Sequence, residues 1–258
     1  MRAGLITFHF AHHYGAQLQA YATMRAVQAL GAECQIIDYR LPHTVGTKRV
    51  FKSGRSVRDL ASNGHTALHY PAFQRRFQRF EDFVAREMAL TPRQYSSARE
   101  LAAEPPDCDV FLAGSDQIWN PVIFPDGRFD PVFFGSFSPL RKIAYAPSFG
   151  VPHIPEGMEE ELNGYLDRFS HIAVRERQGR NIVRDVTGRD VPVVLDPTLL
   201  LTAEDWAALA APPVRGAYIL CYCIAPSGAL EPYIRRLAQE TGLPVVQLCG
   251  TRRKLHPK

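Results

Sequence analysis

The residues able to do chemistry lie in short polar segments, each following an apolar run. The first is His9-Phe10-Ala11-His12-His13-Tyr14-Gly15-Ala16, after Ala3–Phe8. Histidine titrates near neutral pH, so His9 and His13 are candidates for substrate contact or proton transfer. Tyr14 and Gly15 open a helical pattern, whose free N–H groups favour an anion, and glycine lets a ligand approach the backbone closely. An ordinary polar loop accounts for the same residues. A metal would need a further ligand that the sequence does not identify. A single glycine satisfies neither the dinucleotide fingerprint nor a P-loop, so Asp38 at the ribose position stands without its glycines.

The second segment, Gly114-Ser115-Asp116-Gln117-Ile118-Trp119-Asn120, is the densest cluster of small and polar groups in the chain. Ser115, Asp116 and Gln117 suit hydrogen bonding to sugar hydroxyls or proton transfer; Ser115 or Asp116 equally suits a helix cap. No G-x-S-x-G elbow surrounds Ser115, which argues against a serine hydrolase. Asp107-Cys108-Asp109 has the form of a metal-binding D-x-D but precedes its strand. Pro147-Ser148-Phe149-Gly150 and Arg175-Glu176-Arg177 complete the set. An arginine just past a buried strand grips phosphate or carboxylate bidentately. The alternative is a structural Arg175–Glu176 pair. Asp196, in Leu195-Asp196-Pro197-Thr198, reads as a structural turn.

These segments need elements to hold them. Apolar runs at Ala3–Phe8, Gln35–Tyr39, Val110–Ala113, Ile143–Ala146, Ile172–Val174, Val191–Leu195, Ala217–Ile224 and Val245–Leu248 predict buried strands. Leu18, Tyr21, Ala22, Ala26, Ala29 and Leu30 have helical spacing, and Gly31 fits a left-handed C-terminal cap. Strands alternating with helices imply an α/β fold, with a largely parallel sheet and flanking helices. Ligands in such sheets bind beyond the carboxyl ends of the strands, where the polar segments fall. Residues 41–70 are polar and basic, an expected insertion or loop with Lys48, Arg49, Lys52, Arg55 and Arg58. Helical spacing returns over 73–88, with Phe73, Phe77, Phe80 and Val84 on one face. Arg75, Arg76 and Arg79 lie opposite, as a solvated surface or as a contact for an anionic acceptor. Cys221 and Cys223 alternate onto one strand face and read as buried.

Composition sets the outer bounds. The 258 residues are 46% hydrophobic and 22% charged, with a net charge of +4. That excess is too small and scattered for a nucleic-acid binder, yet it suits an anionic small substrate. Five cysteines form an odd, sparse set, unlike a secreted disulfide framework. Neither a signal peptide nor an apolar run of about 18 residues is visible, so the expected location is the cytoplasm. The expected division is a first domain over 1–212 and the start of a second over 213–258, the latter one βαβ unit too small to bury its own core.

In order, Thr7-Phe8-His9, His13-Tyr14-Gly15-Ala16-Gln17-Leu18-Gln19-Ala20-Tyr21-Ala22, Ile36-Ile37-Asp38-Tyr39-Arg40, Ala113-Gly114-Ser115-Asp116-Gln117-Ile118-Trp119-Asn120-Pro121, Tyr145 to Ser148-Phe149-Gly150, Val174-Arg175-Glu176 and Val194-Leu195-Asp196-Pro197-Thr198-Leu199-Leu200 resemble the polysaccharide pyruvyltransferase family. The resemblance covers residues 3 to about 224. It implies a GT-B-like fold of Rossmann-like domains. The implied reaction transfers a pyruvyl group from phosphoenolpyruvate to two hydroxyls of a glycan as a ketal, with no cofactor beyond that donor and no metal. Arg175 matches the family arginine that grips phosphoenolpyruvate; Asp116 is the second catalytic candidate. His9, His13, Tyr14, Gly15, Gly114, Ser115, Gln117, Ser148 and Glu176 are the candidate substrate contacts.

The chain departs from the family at His13, where asparagine is usual, and at Pro147, where alanine is usual. The family's Ser-Phe-His stretch of the second domain does not occur up to Lys258, which sets the expectation of an incomplete second domain. Two other readings remain: a nucleotide-sugar glycosyltransferase on the same scaffold, and a truncated glycan- or anion-binding protein without turnover.

Overall fold

The computed structural model describes residues 1–41, 67, 70–211, 216–223 and 228–249. The chain divides into two compact units, Met1–Thr202 and Ala203–Lys258. The basic residues Lys48, Arg49, Lys52, Arg55 and Arg58 lie outside the described residues, as do the side chains of Phe73 and Cys223.

The first unit is α/β. Its strands are β1 (Arg2–Ile6), β2 (Glu33–Tyr39), β3 (Leu90–Tyr95), β4 (Val110–Ala113), β5 (Arg141–Tyr145) and β6 (Phe169–Ala173). They form one six-stranded sheet in the order β3-β2-β1-β4-β5-β6, parallel at every pairing. The helices are α1 (Tyr14–Ala29), α2 (Tyr70–Glu87), α3 (Ala98–Ala103), α4 (Glu159–Leu166) and α5 (Arg177–Thr187). This is the strand order of a Rossmann-like sheet, consistent with a GT-B-like fold, and its direction reverses between β1 and β4.

Local sequence explains the elements. All four residues of β4 are buried, as a central parallel strand requires. The α1 helix ends as predicted, with Gly31 in the left-handed region at φ 83°. In α2, Phe80 and Val84 are buried while Arg75 and Arg79 are exposed. Beyond β4, Trp119 is fully buried and stacks on Phe134 with ring centroids 5.2 Å apart. That aromatic core fixes the loop that follows Asp116.

Two expectations need correction. Val191–Leu195 is not a sheet strand; it touches β6's extension only through the isolated Val174–Val193 bridge. Pro192 has no N–H to give a ladder, and Val193 and Leu195 are exposed. Conversely β3 forms from Leu-Thr-Pro-Arg-Gln-Tyr, where only Thr91 and Tyr95 are buried. An edge strand tolerates both its proline and its polar face.

The second unit contains α6 (Ala203–Leu209), β7 (Ile219–Cys223), α7 (Glu231–Thr241) and β8 (Val245–Cys249), with β7 and β8 parallel. Cys221 is buried there. Among the described residues no helix is long and apolar enough to cross a membrane.

Candidate functional site

Register brings the polar segments together. Ile6 of β1 lies opposite Ala113 of β4, and the Gly114 amide donates to the Ile6 carbonyl at 2.9 Å. The segments after the two strands therefore emerge side by side where the sheet order reverses. Gly114 permits this closeness, since a Cβ there would sit 2.8 Å from Leu5 Cδ1 and 3.2 Å from Thr7 Cβ. The Thr7 hydroxyl donates to the Ser115 carbonyl at 2.7 Å and ties the loops.

Ser115 is fully buried. Its Oγ lies 3.4 Å from Asp196 Oδ2 and accepts from Arg175 Nη1 at 3.4 Å. The same Nη1 donates to Asp196 Oδ2 at 3.2 Å, while Arg175 Nε stands 3.5 Å from Glu176 Oε2. Ser115, Arg175 and Asp196 thus meet from three chain segments. Asp196 also serves its predicted turn: Oδ1 accepts from the Thr198 amide at 3.0 Å and hydroxyl at 2.8 Å. Its second oxygen is the feature that sequence reasoning missed. The available signal was its place after an extended run, in the same relation as Arg175 to β6.

Asp116 has φ 78°, in the left-handed region that non-glycine residues rarely occupy, and Ala146 on the adjacent strand end has φ 58°. The two kinked segments meet in an Asp116–Pro147 bridge, with the Ser148 amide donating to the Asp116 carbonyl at 2.9 Å. Strain of about 1–3 kcal/mol per such residue persists where surroundings enforce it, commonly at functional sites. Burial raises the Asp116 carboxyl above the usual carboxylate range, aided by Asp196; the Gln117 amide, Arg175 and His13 oppose it without prevailing. A carboxyl that resists ionisation beside an arginine suits proton donation.

Gln117 and Ser148 support this loop pair. Gln117 Oε1 accepts from Asn120 Nδ2 at 2.8 Å, and Ser148 Oγ accepts from the Gly150 amide at 3.1 Å. Gly150 is required at φ 62°, because a Cβ would fall 2.6 Å from both Gln117 Oε1 and Asn120 Nδ2.

The first segment divides its residues. His13 is exposed and caps α1, its Nδ1 accepting from the Ala16 amide at 3.4 Å. Gly15 is exposed in the first turn, and the half-buried Tyr14 ring lies 4.9 Å from Phe80 of α2. Arg76 stacks over Tyr14 and Phe80 at 5.9 and 5.7 Å. His9 is placed otherwise. It is fully buried, between the Thr7 carbonyl and the Asp38 carboxylate.

Asp107 and Asp109 lie at the amino end of the sheet, ion-paired to Arg2, away from these loops. Among the described residues no group of three or more His, Cys, Asp or Glu side chains is arranged to hold a metal. The family model for polysaccharide pyruvyl transferase matches residues 13–250. No curated protein matches the chain.

Proposed function

The chain belongs to the polysaccharide pyruvyl transferase family, and from that premise we propose that this transferase takes its pyruvyl group from phosphoenolpyruvate and delivers it to two hydroxyls of a glycan as a cyclic ketal. The observation that carries this reading is a buried Asp116 carboxyl, raised above its ordinary value, within the field of an Arg175 that is bonded to Ser115 and Asp196 at the ends of β4 and β6.

The chemistry asks for an acid at the enol carbon, cations for the donor's phosphate and carboxylate, and acceptors for hydroxyl protons. Asp116 gives its proton to the methylene carbon as the first sugar oxygen attacks the adjacent carbon. The second hydroxyl then attacks that carbon, and its bond to the phosphate oxygen breaks. One hydroxyl proton restores Asp116; the other leaves with inorganic phosphate. Arg175, held by Asp196, Ser115 and Glu176, grips the donor. The start of α1, capped by His13, turns the positive end of its helix dipole to the donor's anionic end. Gln117, Ser148 and His13 line the approach of the sugar hydroxyls.

The test is phosphate release from phosphoenolpyruvate in the presence of glycan acceptors, with the ketal detected by mass spectrometry. Release that depends on acceptor and is lost in Arg175→Ala supports the reading. A protein that binds no phosphoenolpyruvate by calorimetry, yet binds nucleotide sugars, overturns it.

A further inference from the structure

His9 is the one fully buried histidine of the candidate set, and both of its ring nitrogens face oxygen. Nδ1 lies 3.2 Å from the Thr7 carbonyl and Nε2 lies 3.0 Å from Asp38 Oδ1. A carbonyl and a carboxylate both accept, so the ring is held between two fixed oxygens on opposite sides. Asp38 in turn accepts from Arg40, Nε to Oδ1 at 2.7 Å and Nη2 to Oδ2 at 3.0 Å. Its backbone amide donates to Thr91 Oγ1 at 3.0 Å, which fixes the end of β2 against β3.

A polar chain built on a largely buried Asp38–Arg40 ion pair is a poor way to gain stability. Desolvation offsets most of the attraction, and an apolar replacement of similar volume often does as well. What the chain does accomplish is positional. His9 holds the Thr7 carbonyl, and the Thr7 hydroxyl receives Gln19 Nε2 at 2.8 Å while donating to the Ser115 carbonyl at 2.7 Å. Ser115 Oγ then meets Arg175 and Asp196. The linkage runs from Arg40, just past β2, and Asp38 on β2, through the end of β1, to the end of β4 and the donor-gripping arginine.

We propose that Thr7 and His9 are positioning residues of the donor site: His9, anchored by Asp38 and Arg40, orients Thr7, and the Thr7 hydroxyl sets the height of Ser115 under Arg175. Neither touches the reacting atoms. This rests on the reading of Arg175 as the donor grip given above, and it adds that the grip is set from β2, across the sheet.

Thr7→Val keeps the shape and removes the hydroxyl; Thr7→Ser restores it. Three measurements are made on each: phosphoenolpyruvate affinity by calorimetry, melting temperature, and hydrogen exchange of the peptide covering Gly114–Gln117. Loss of the buried bond to Ser115 is expected to weaken phosphoenolpyruvate binding about tenfold in Thr7→Val. Exchange in the Ser115 loop accelerates, while Thr7→Ser stays within about threefold of the parent protein in affinity. Unchanged affinity and unchanged loop exchange in a folded Thr7→Val overturn the proposal. So does a loss that Thr7→Ser fails to restore, since the hydroxyl is then not the cause. If Thr7→Val does not fold, His9→Gln, which keeps one donor, is read in the same way. Should the parent protein bind no phosphoenolpyruvate, the donor assignment fails, and loop exchange alone then decides the positioning role.

Discussion

Asp196 divides its carboxylate between a turn and an arginine: Oδ1 caps Thr198, and Oδ2 stands 3.2 Å from Arg175 Nη1. The arginine is therefore aimed before any ligand arrives. In Asp196→Asn the turn keeps its acceptor, but Arg175 loses the nearer of its two charged partners, Glu176 remaining at 3.5 Å. A charge-assisted hydrogen bond contributes about 1.5–3 kcal/mol, so phosphoenolpyruvate affinity is expected to fall about 10- to 100-fold. Arg175→Lys, which loses the planar fork, falls at least as far. Calorimetric titration of both variants checks this; an Asp196→Asn protein that binds as tightly as the parent removes Asp196 from the site.

On the proposed mechanism Asp116 ties activity to stability through one carboxyl. Its folded-state value is raised, chiefly by burial. Above the ordinary unfolded value of about 3.9, the native state still holds a proton that the unfolded chain has released. Stability therefore declines as pH rises from there through the raised native value. Asp116→Asn has no such proton to lose, and asparagine tolerates the left-handed backbone of φ 78°. Its melting temperature relative to the parent protein is expected to rise with pH over that window, while turnover drops about 100- to 10,000-fold. On the proposed mechanism, in which the protonated carboxyl is the acid, turnover of the parent protein fades as pH climbs through the same raised value. A variant that is both less stable at neutral pH and still active contradicts each half.

Much of this arrangement was legible because the fold repeats a local pattern. Val110–Ala113 has the apolar character of a buried parallel strand, and Gly114–Gln117 has to follow it at the ligand-binding end of the sheet. Other features are bonds across long stretches of chain, and spacing carries no trace of them. Thr7 and Ser115 are 108 residues apart, and Ser115 and Asp196 are 81 apart. Asp38 stood in the sequence at the ribose position of a fingerprint that lacks its glycines; its partners are His9, one strand away, and Arg40. The β3 strand escaped because an edge position asks for little burial, so Thr-Pro-Arg-Gln gives no alternating pattern. Val191–Leu195 misled in the opposite sense: apolar residues there surround a proline that cannot join a ladder.

Gly150 tests whether the kinked loop pair is held as tightly as its geometry implies. Two glycines with similar backbone offer a controlled comparison. Gly150 has φ 62°, and an added Cβ meets Gln117 Oε1 and Asn120 Nδ2 at 2.6 Å; Gly157 has φ 83° and nothing within 4 Å. Alanine at Gly157 bears only the left-handed backbone cost of about 1–2 kcal/mol. Alanine at Gly150 bears that cost plus the displacement of two hydrogen-bonded amides, a further 1–3 kcal/mol or about that. Chemical denaturation should place Gly150→Ala below Gly157→Ala by that second amount. Gln117 would have to swing away from Asn120, so Gly150→Ala is also expected to impair binding of the sugar acceptor, whereas Gly157→Ala leaves it intact. Equal stabilities for the two variants would mean that the Gln117–Asn120 pair yields freely, and that the loop is not preorganised.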